Sequence, residues 1–290
     1  MKNIKSTKNG VLISDTKNFE PEKIFTCGQC FRWNVYGEDK FRGVVGDKVL
    51  KVSRKGNDIL LEGTDLDEYT KVWHKYFDME RDYSKIITFL SDDPVIFPAV
   101  LYGEGIRILK QDFFECVISF IISANNNIPR IQGIIEKLCG LFGKKIPHYD
   151  GDYYSFPSSA DMKGVTEEML SPLKCGYRAK YIAKTINAFN DGQIDKELIE
   201  SLPYEDAKRE LCKISGVGPK VADCILLFSM GRFDVFPTDV WVKRIMSELY
   251  GCSENEVAKI GRQFYGDYAG IAQQFLFFFR RSTDKKVNAK

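Results

Sequence analysis

Between residues 40 and 63 short β-branched runs alternate with polar positions in "KFRGVVGDKVLKVSRKGNDILLEG", and the run is broken at Gly46–Asp47 and again at Lys55–Asp58. Period-two alternation punctuated by Gly, Asp and Asn predicts a meander of antiparallel strands. With "GVLISD" (10–15) and "CFRW" (30–33), the pattern predicts a small α+β domain with an antiparallel sheet over residues 1–95.

Beyond residue 95 the period changes. "IPRIQGIIEKLCGLFG" (128–143) places Ile128, Ile131, Ile134, Ile135, Leu138 and Phe142 on one helical face, with Gly140 and Gly143 expected to mark its end. Helical patterning recurs at about 178–190, 205–213, 220–230, 239–250, 254–265 and 270–281. The predicted class is therefore α+β, with a sheet-bearing N-terminal domain followed by a helical domain over 96–290.

Composition narrows the picture mainly by exclusion. Apolar runs such as "CVISFIISA" (116–124) and "FLFFF" (275–279) are too short to cross a bilayer, and the first fifteen residues have no signal-peptide core. A secreted or membrane-bound protein is not expected. Of eight cysteines only Cys27 and Cys30 form a C-x-x-C pair, and His74 and His148 lie far from it, so no metal site and reduced thiols are expected. Net charge is +2, but "MKNIKSTK" and "RRSTDKK" near the two ends are basic, which suits either solvated tails or a polyanionic partner.

The candidate chemistry begins in "EDAKRELCKISGVGPKVADCILLF" (205–228), which reads as helix, tight turn, helix. Ile214, Val217 and Val221 pack the hairpin, while Gly216 and Gly218 let the backbone turn sharply and approach a ligand. Pro219 suits the first turn of the second helix, whose free N–H groups face a phosphate. Such a helix-hairpin-helix grips the nucleic-acid backbone without reading sequence. The grip itself needs no lysine at 220. An amine at a helix N-terminus is disfavoured in its protonated form, and a neutral lysine can attack carbon and form a Schiff base. Asp239, opening the next helix in "VFPTDVWVKRIM", suits an N-cap or a carboxylate stabilising positive charge on a sugar.

A hairpin followed by a Gly/Pro-rich loop (231–239) and an aspartate resembles the helix-hairpin-helix DNA glycosylase superfamily, and within it the 8-oxoguanine DNA glycosylases. "GIRILKQDFFECVISFIISANNNIPRI" (105–131), "KCGYRAKYI" (174–182), "GVGPKVADC" (216–224) and "YAGIAQQFLF" (268–277) are similar to that family's blocks. The resemblance implies a two-lobed all-helical domain and double-stranded DNA carrying oxidised guanine as substrate. It further implies a monomer, no required cofactor, and a cytoplasmic or nucleoid location in a bacterium or a nuclear one in a eukaryote. It gives Lys220 the role of nucleophile at C1′ and Asp239 that of stabilising the cationic sugar. Because the target base must leave the stack, it also implies a pocket. Cys224, at i+4 from Lys220, and Phe277 face the two sides of the flipped base, Gln273 reads its Watson–Crick edge, and the Gly28 carbonyl accepts from N7–H. N7 is an acceptor in guanine and a donor in the oxidised base, so that carbonyl would select the lesion. Asn125, Arg130, Tyr177 and Arg178 resemble the residues that fill the vacated gap and read the orphaned partner base.

Two departures stand out. Trp241 occupies the place of a family histidine two residues after the aspartate, and "FFRRS" replaces the polar partners expected beyond Phe277. Endonuclease III-like and adenine-mispair enzymes carry a four-cysteine iron–sulfur site after the hairpin, whereas only Cys252 follows Asp239 here. Alkylated-base glycosylases lack the lysine. A non-catalytic DNA clamp would account for Gly216 and Gly218 but not for Lys220, Asp239, Gln273 and Phe277 together.

Overall fold

The computed structural model describes residues 3–288. Six strands come first: β1 (Ile4–Thr7), β2 (Gly10–Ile13), β3 (Trp33–Gly37), β4 (Lys40–Val45), β5 (Lys48–Lys55) and β6 (Asp58–Glu62). They form an antiparallel sheet in the order β1-β2-β6-β5-β4-β3. Alternation along the strands decides what is buried: Val11 pairs with Leu61 and Ile13 with Ile59, and all four side chains lie in the core. The fold class is α+β, as the hydrophobic periodicity predicts. The strand expected over 30–33 begins only at Trp33.

Contacts group the chain into two compact units that interleave in sequence. One comprises residues up to Cys30, Val52–Lys110 and Leu226 onward; the other comprises Phe31–Lys51 and Gln111–Ile225. In the first unit the long helix Ala269–Asn288 packs on the helix Phe97–Gly103, where the Phe275 ring lies against Gly103. Phe19, Trp73, Phe77, Phe236 and Phe275 are all fully buried in this unit, so large aromatics form much of its core.

The second unit is built on the helices Phe113–Ser123, Ile128–Phe142, Arg178–Asn190 and Tyr204–Cys212, and on the start of Pro219–Phe228. Asp112 caps the first of these by accepting from the Glu115 N–H, and Asn127 caps the second by accepting from the Arg130 N–H at 3.1 Å. Ile131, Ile134, Ile135 and Leu138 are buried as the pattern requires, but Ile128 and Phe142 keep part of their surface in solvent. Gly140 does not end this helix. It lies inside it, and Gly143 alone occupies the C-cap.

Candidate active site

The hairpin of the second unit consists of Tyr204–Cys212, the turn through Gly216, and Pro219–Phe228. Pro219 opens the second helix, as its fixed φ favours. Ile214, Val217 and Val221 are buried between the helices. Gly216 has φ +85°, and a Cβ there would stand 2.8 Å from the Tyr181 Cβ. Only glycine fits on both counts. Gly218 differs: a Cβ there would meet nothing within 4 Å, and its φ is not left-handed. Its expected part in the tight turn therefore falls to Gly216, and its open side faces away from the fold.

A hydrogen-bonded triad, with Tyr204 and Asp223 buried and Lys208 partly so, braces the two hairpin helices. Lys208 Nζ donates to Asp223 Oδ2 at 2.8 Å and to the Tyr204 hydroxyl at 2.8 Å, and that hydroxyl donates to Asp223 Oδ1 at 2.9 Å. Burial pulls the Lys208 pKa down, but the Asp223 charge and the hydrogen bonds outweigh it and leave the amine above its usual range. Lys220 and Cys224 rise from the same helix as Asp223. Lys220 is half-buried, its Nζ 5.4 Å from the centroid of the Phe120 ring, and Cys224 is buried one turn on. The amine thus sits beside an aromatic face in the first turn, where the helix dipole opposes its charge.

Four of the sequence-derived residues meet at the end of the helix Phe113–Ser123. Asn125 takes up φ +48° and is exposed. Arg178, buried, donates from Nε to the Ala124 carbonyl at 3.0 Å, from Nη2 to the Asn125 carbonyl at 2.8 Å, and from Nη1 to the Cys175 carbonyl at 3.2 Å. Arg130 donates to the Lys174 carbonyl at 3.2 Å, and Tyr177 keeps 57% of its surface exposed. Asn125, Arg130 and Tyr177 are thus accessible, whereas the Arg178 guanidinium is committed to backbone carbonyls and holds the turn that presents Asn125.

The first unit gathers another set. Gly28 follows the short helix Pro21–Thr26 and has φ +87°; a Cβ there would lie 3.2 Å from Phe277 Cε1. The ring edge therefore rests against a backbone that has no side chain. Phe275 and Leu276 are fully buried in the core, so among neighbouring apolar residues Phe277 is the one directed at Gly28. Gln273 is only 5% exposed, and its Oε1 accepts no hydrogen bond among the described residues. A buried amide oxygen without a partner is uncommon in folded proteins and marks a place where a ligand donor fits. Gln274 beside it is spoken for, donating to the Cys27 carbonyl at 2.8 Å. Burial pushes the Cys27 thiol up to about 11, so it stays protonated near neutrality.

Asp239 caps the helix Val240–Tyr250, accepting from the Val242 N–H at 2.9 Å. Its charge is felt by Arg281, which the sequence reading passed over and which stands beside Phe277, guanidinium carbon 5.3 Å from the ring centroid. The signal for it was the unexpected "RR" after the aromatic run. Trp241 carries the Arg244 guanidinium at 5.7 Å from its ring. Among the described residues no three His, Cys, Asp or Glu side chains are grouped to hold a metal ion, and no helix is long and apolar enough to cross a membrane.

Comparison with known proteins gives two adjoining family matches, the 8-oxoguanine DNA glycosylase N-terminal domain over residues 11–117 and the HhH-GPD superfamily base excision DNA repair protein over 118–265. An Arabidopsis thaliana protein called N-glycosylase/DNA lyase OGG1 is 31% identical over 287 residues, 91% of this chain and 78% of its own. A probable N-glycosylase/DNA lyase of Methanothermobacter thermautotrophicus is 34% identical over 224 residues, covering 69% of this chain and 71% of its own. The solved structure of the Clostridium acetobutylicum 8-oxoguanine glycosylase/lyase, in complex with double-stranded DNA containing cytosine opposite 8-oxoguanine, superposes with a TM-score of 0.94. It shares 40% identity and covers 97% of this chain and 98% of that one.

Proposed function

This chain belongs to the HhH-GPD superfamily of base excision DNA repair proteins and carries an 8-oxoguanine DNA glycosylase N-terminal domain, and from that premise we propose that it is a bifunctional N-glycosylase/DNA lyase excising 8-oxoguanine from duplex DNA. The observation that carries the substrate assignment is the Gly28–Phe277 contact beside a buried Gln273 whose Oε1 has no partner among the described residues. An aromatic edge, a bare backbone and an unmet acceptor suit a flat, donor-rich base. The Gly28 carbonyl takes the N7–H of the lesion, Gln273 its Watson–Crick edge, and Phe277 and Cys224 its two faces.

In the chemistry, Lys220 Nζ bonds to C1′ as the bond from C1′ to the base breaks. The base leaves with the electron pair and takes up a proton. Opening of the sugar ring gives the Schiff base, loss of a C2′ proton expels the 3′ phosphate, and water then releases the enzyme. Asp239 stabilises the positive charge that builds on the sugar. Asn125, Arg130 and Tyr177 fill the gap and read the orphaned partner base, together with Arg178, which also holds their turn. Gly216 and Gly218 bring the hairpin amides to a phosphate. The protein works as a monomer on DNA without a required cofactor, and residue 95 divides the sheet-bearing domain from the helical glycosylase domain.

Cleavage assays on duplexes that carry 8-oxoguanine or guanine at one position test this reading. Strand scission at 8-oxoguanine, faster than at guanine by roughly tenfold to a hundredfold or more, is expected from one acceptor–donor contact replaced by opposed acceptors. Equal cutting of both duplexes, or of neither, would overturn it.

A further inference from the structure

Beside the Gly28–Phe277 contact one nitrogen of a guanidinium, Arg281 Nη1, is left without an acceptor among the described residues. Arg281 lies at i+4 from Phe277 on the helix Ala269–Asn288 and so shares its face. Its Nη2 donates to the Thr26 carbonyl, which fixes the guanidinium at the end of the helix Pro21–Thr26. Nη1 is buried, finds no hydrogen-bond partner among the described residues, and stands 3.1 Å from the position a Cβ would take at Gly28. Burial lowers the Arg281 pKa, while the Cys27 and Asp239 side chains act in the opposite sense. An arginine nevertheless keeps its proton, and a buried N–H with no acceptor carries a desolvation cost until something supplies one.

We propose that Arg281 is a specificity-determining residue whose Nη1–H donates to an oxo oxygen of the extruded purine adjacent to N7. The inference rests on the reading of Gly28 and Phe277 as the base pocket. In 8-oxoguanine N7 is flanked by two oxygens, O8 on one side and O6 on the other. A base whose N7–H is received by the Gly28 carbonyl brings one of them alongside the Gly28 backbone, where Nη1 waits. A donor at O8 favours the lesion over guanine, which has a C–H there. A donor at O6 favours guanine-derived over adenine-derived bases, which carry an amino group at that position.

The test compares two reactions of one enzyme. For Arg281→Leu, kcat/KM is measured for 8-oxoguanine excision and for β-elimination at a preformed abasic site, which has no base to contact. The ratio of excision to elimination is expected to fall at least about tenfold, the size of a lost hydrogen bond to a charged group. An arginine that only braces the helix lowers both reactions alike, so an unchanged ratio overturns the proposal. Arg281→Lys keeps the stem and the charge but loses the planar fork, and the same fall in ratio is expected should the leucine variant fold poorly. Repeating the measurement with 8-oxoadenine, which keeps O8 and lacks O6, separates the two oxygens: an equal loss assigns O8, no loss assigns O6. A wild-type protein that releases no base from an 8-oxoguanine duplex but still eliminates at a preformed abasic site refutes the base-pocket reading itself, a result distinct from an unmoved ratio.

Discussion

Gly216 and Gly28 have nearly the same φ, +85° and +87°, yet their surroundings are opposite. Around the hairpin turn the chain satisfies itself: Thr185 donates to the Ser215 carbonyl at 2.9 Å, and Lys208, Tyr204 and Asp223 hydrogen-bond to one another. Around Gly28 it does not. Gln273 Oε1 and Arg281 Nη1 are both buried and both lack a partner among the described residues. Two left-handed glycines thus sit in different settings, one in a turn whose neighbours bond one another and one, on the proposed reading, in a backbone kept bare for a base. What separates them is the polar inventory nearby, since unmet buried groups persist where binding completes them.

Removing the scaffold's own ion pair should have the largest effect. Asp223→Ala leaves Lys208 facing a buried gap, and urea unfolding should show a loss of about 3–5 kcal/mol. Asp239→Asn keeps a competent N-cap, so the melting temperature should move little. Base release should nonetheless fall on the order of a hundredfold to a thousandfold, because a preorganised charge is gone. The two glycines can then be set against each other directly. Gly216→Ala combines a left-handed φ with the 2.8 Å approach to Tyr181 and should destabilise by about 2–4 kcal/mol. Gly28→Ala shares the backbone strain but pushes only on the Phe277 edge and the end of Arg281, so it should unfold more easily by about 1–3 kcal/mol and lose excision beyond that. If both variants lose stability and activity in the same proportion, the contrast between them fails.

The smallest effect concerns pH. Burial raises the Glu115 carboxyl to about 7, with the Arg32 charge opposing and Asp112 and Glu136 adding to it. The carboxyl is enclosed although the residue keeps part of its surface in solvent. A group that binds its proton more tightly when folded withdraws stability as pH rises from its ordinary value, near 4.5, to the folded one. Glu115→Gln removes that withdrawal. The variant should gain about 1 kcal/mol at pH 8, allowing for the partial exposure, and nothing below about pH 4.5. Denaturant midpoints at the two pH values check it.

The hairpin was legible because local rules fix it: apolar spacing gives the helices, Pro219 the start and Gly216 the turn. The helix Arg178–Asn190 came out at the residues the pattern marks for the same reason. Strand β1 and the short helices between Leu66 and Gly103 escaped, being too brief for a periodic signal. Arg178 was legible as a candidate but its hydrogen bonds to the Ala124, Cys175 and Asn125 carbonyls were not, because a sequence does not show which carbonyls an arginine will meet. Arg281 was harder still. Its meaning depends on Thr26 and Gly28, some 250 positions away along the chain, and only folding brings them to it.

The central claim is that Lys220, in the first turn of the second hairpin helix, forms the covalent bond to DNA. Borohydride reduction during reaction with an 8-oxoguanine duplex tests it most directly. The wild-type protein should give a trapped protein–DNA adduct whose peptide map places the DNA on Lys220, and Lys220→Gln should give none while still binding the duplex. An adduct that persists at full yield in Lys220→Gln, with the DNA mapped to another amine such as Lys213, would contradict the account.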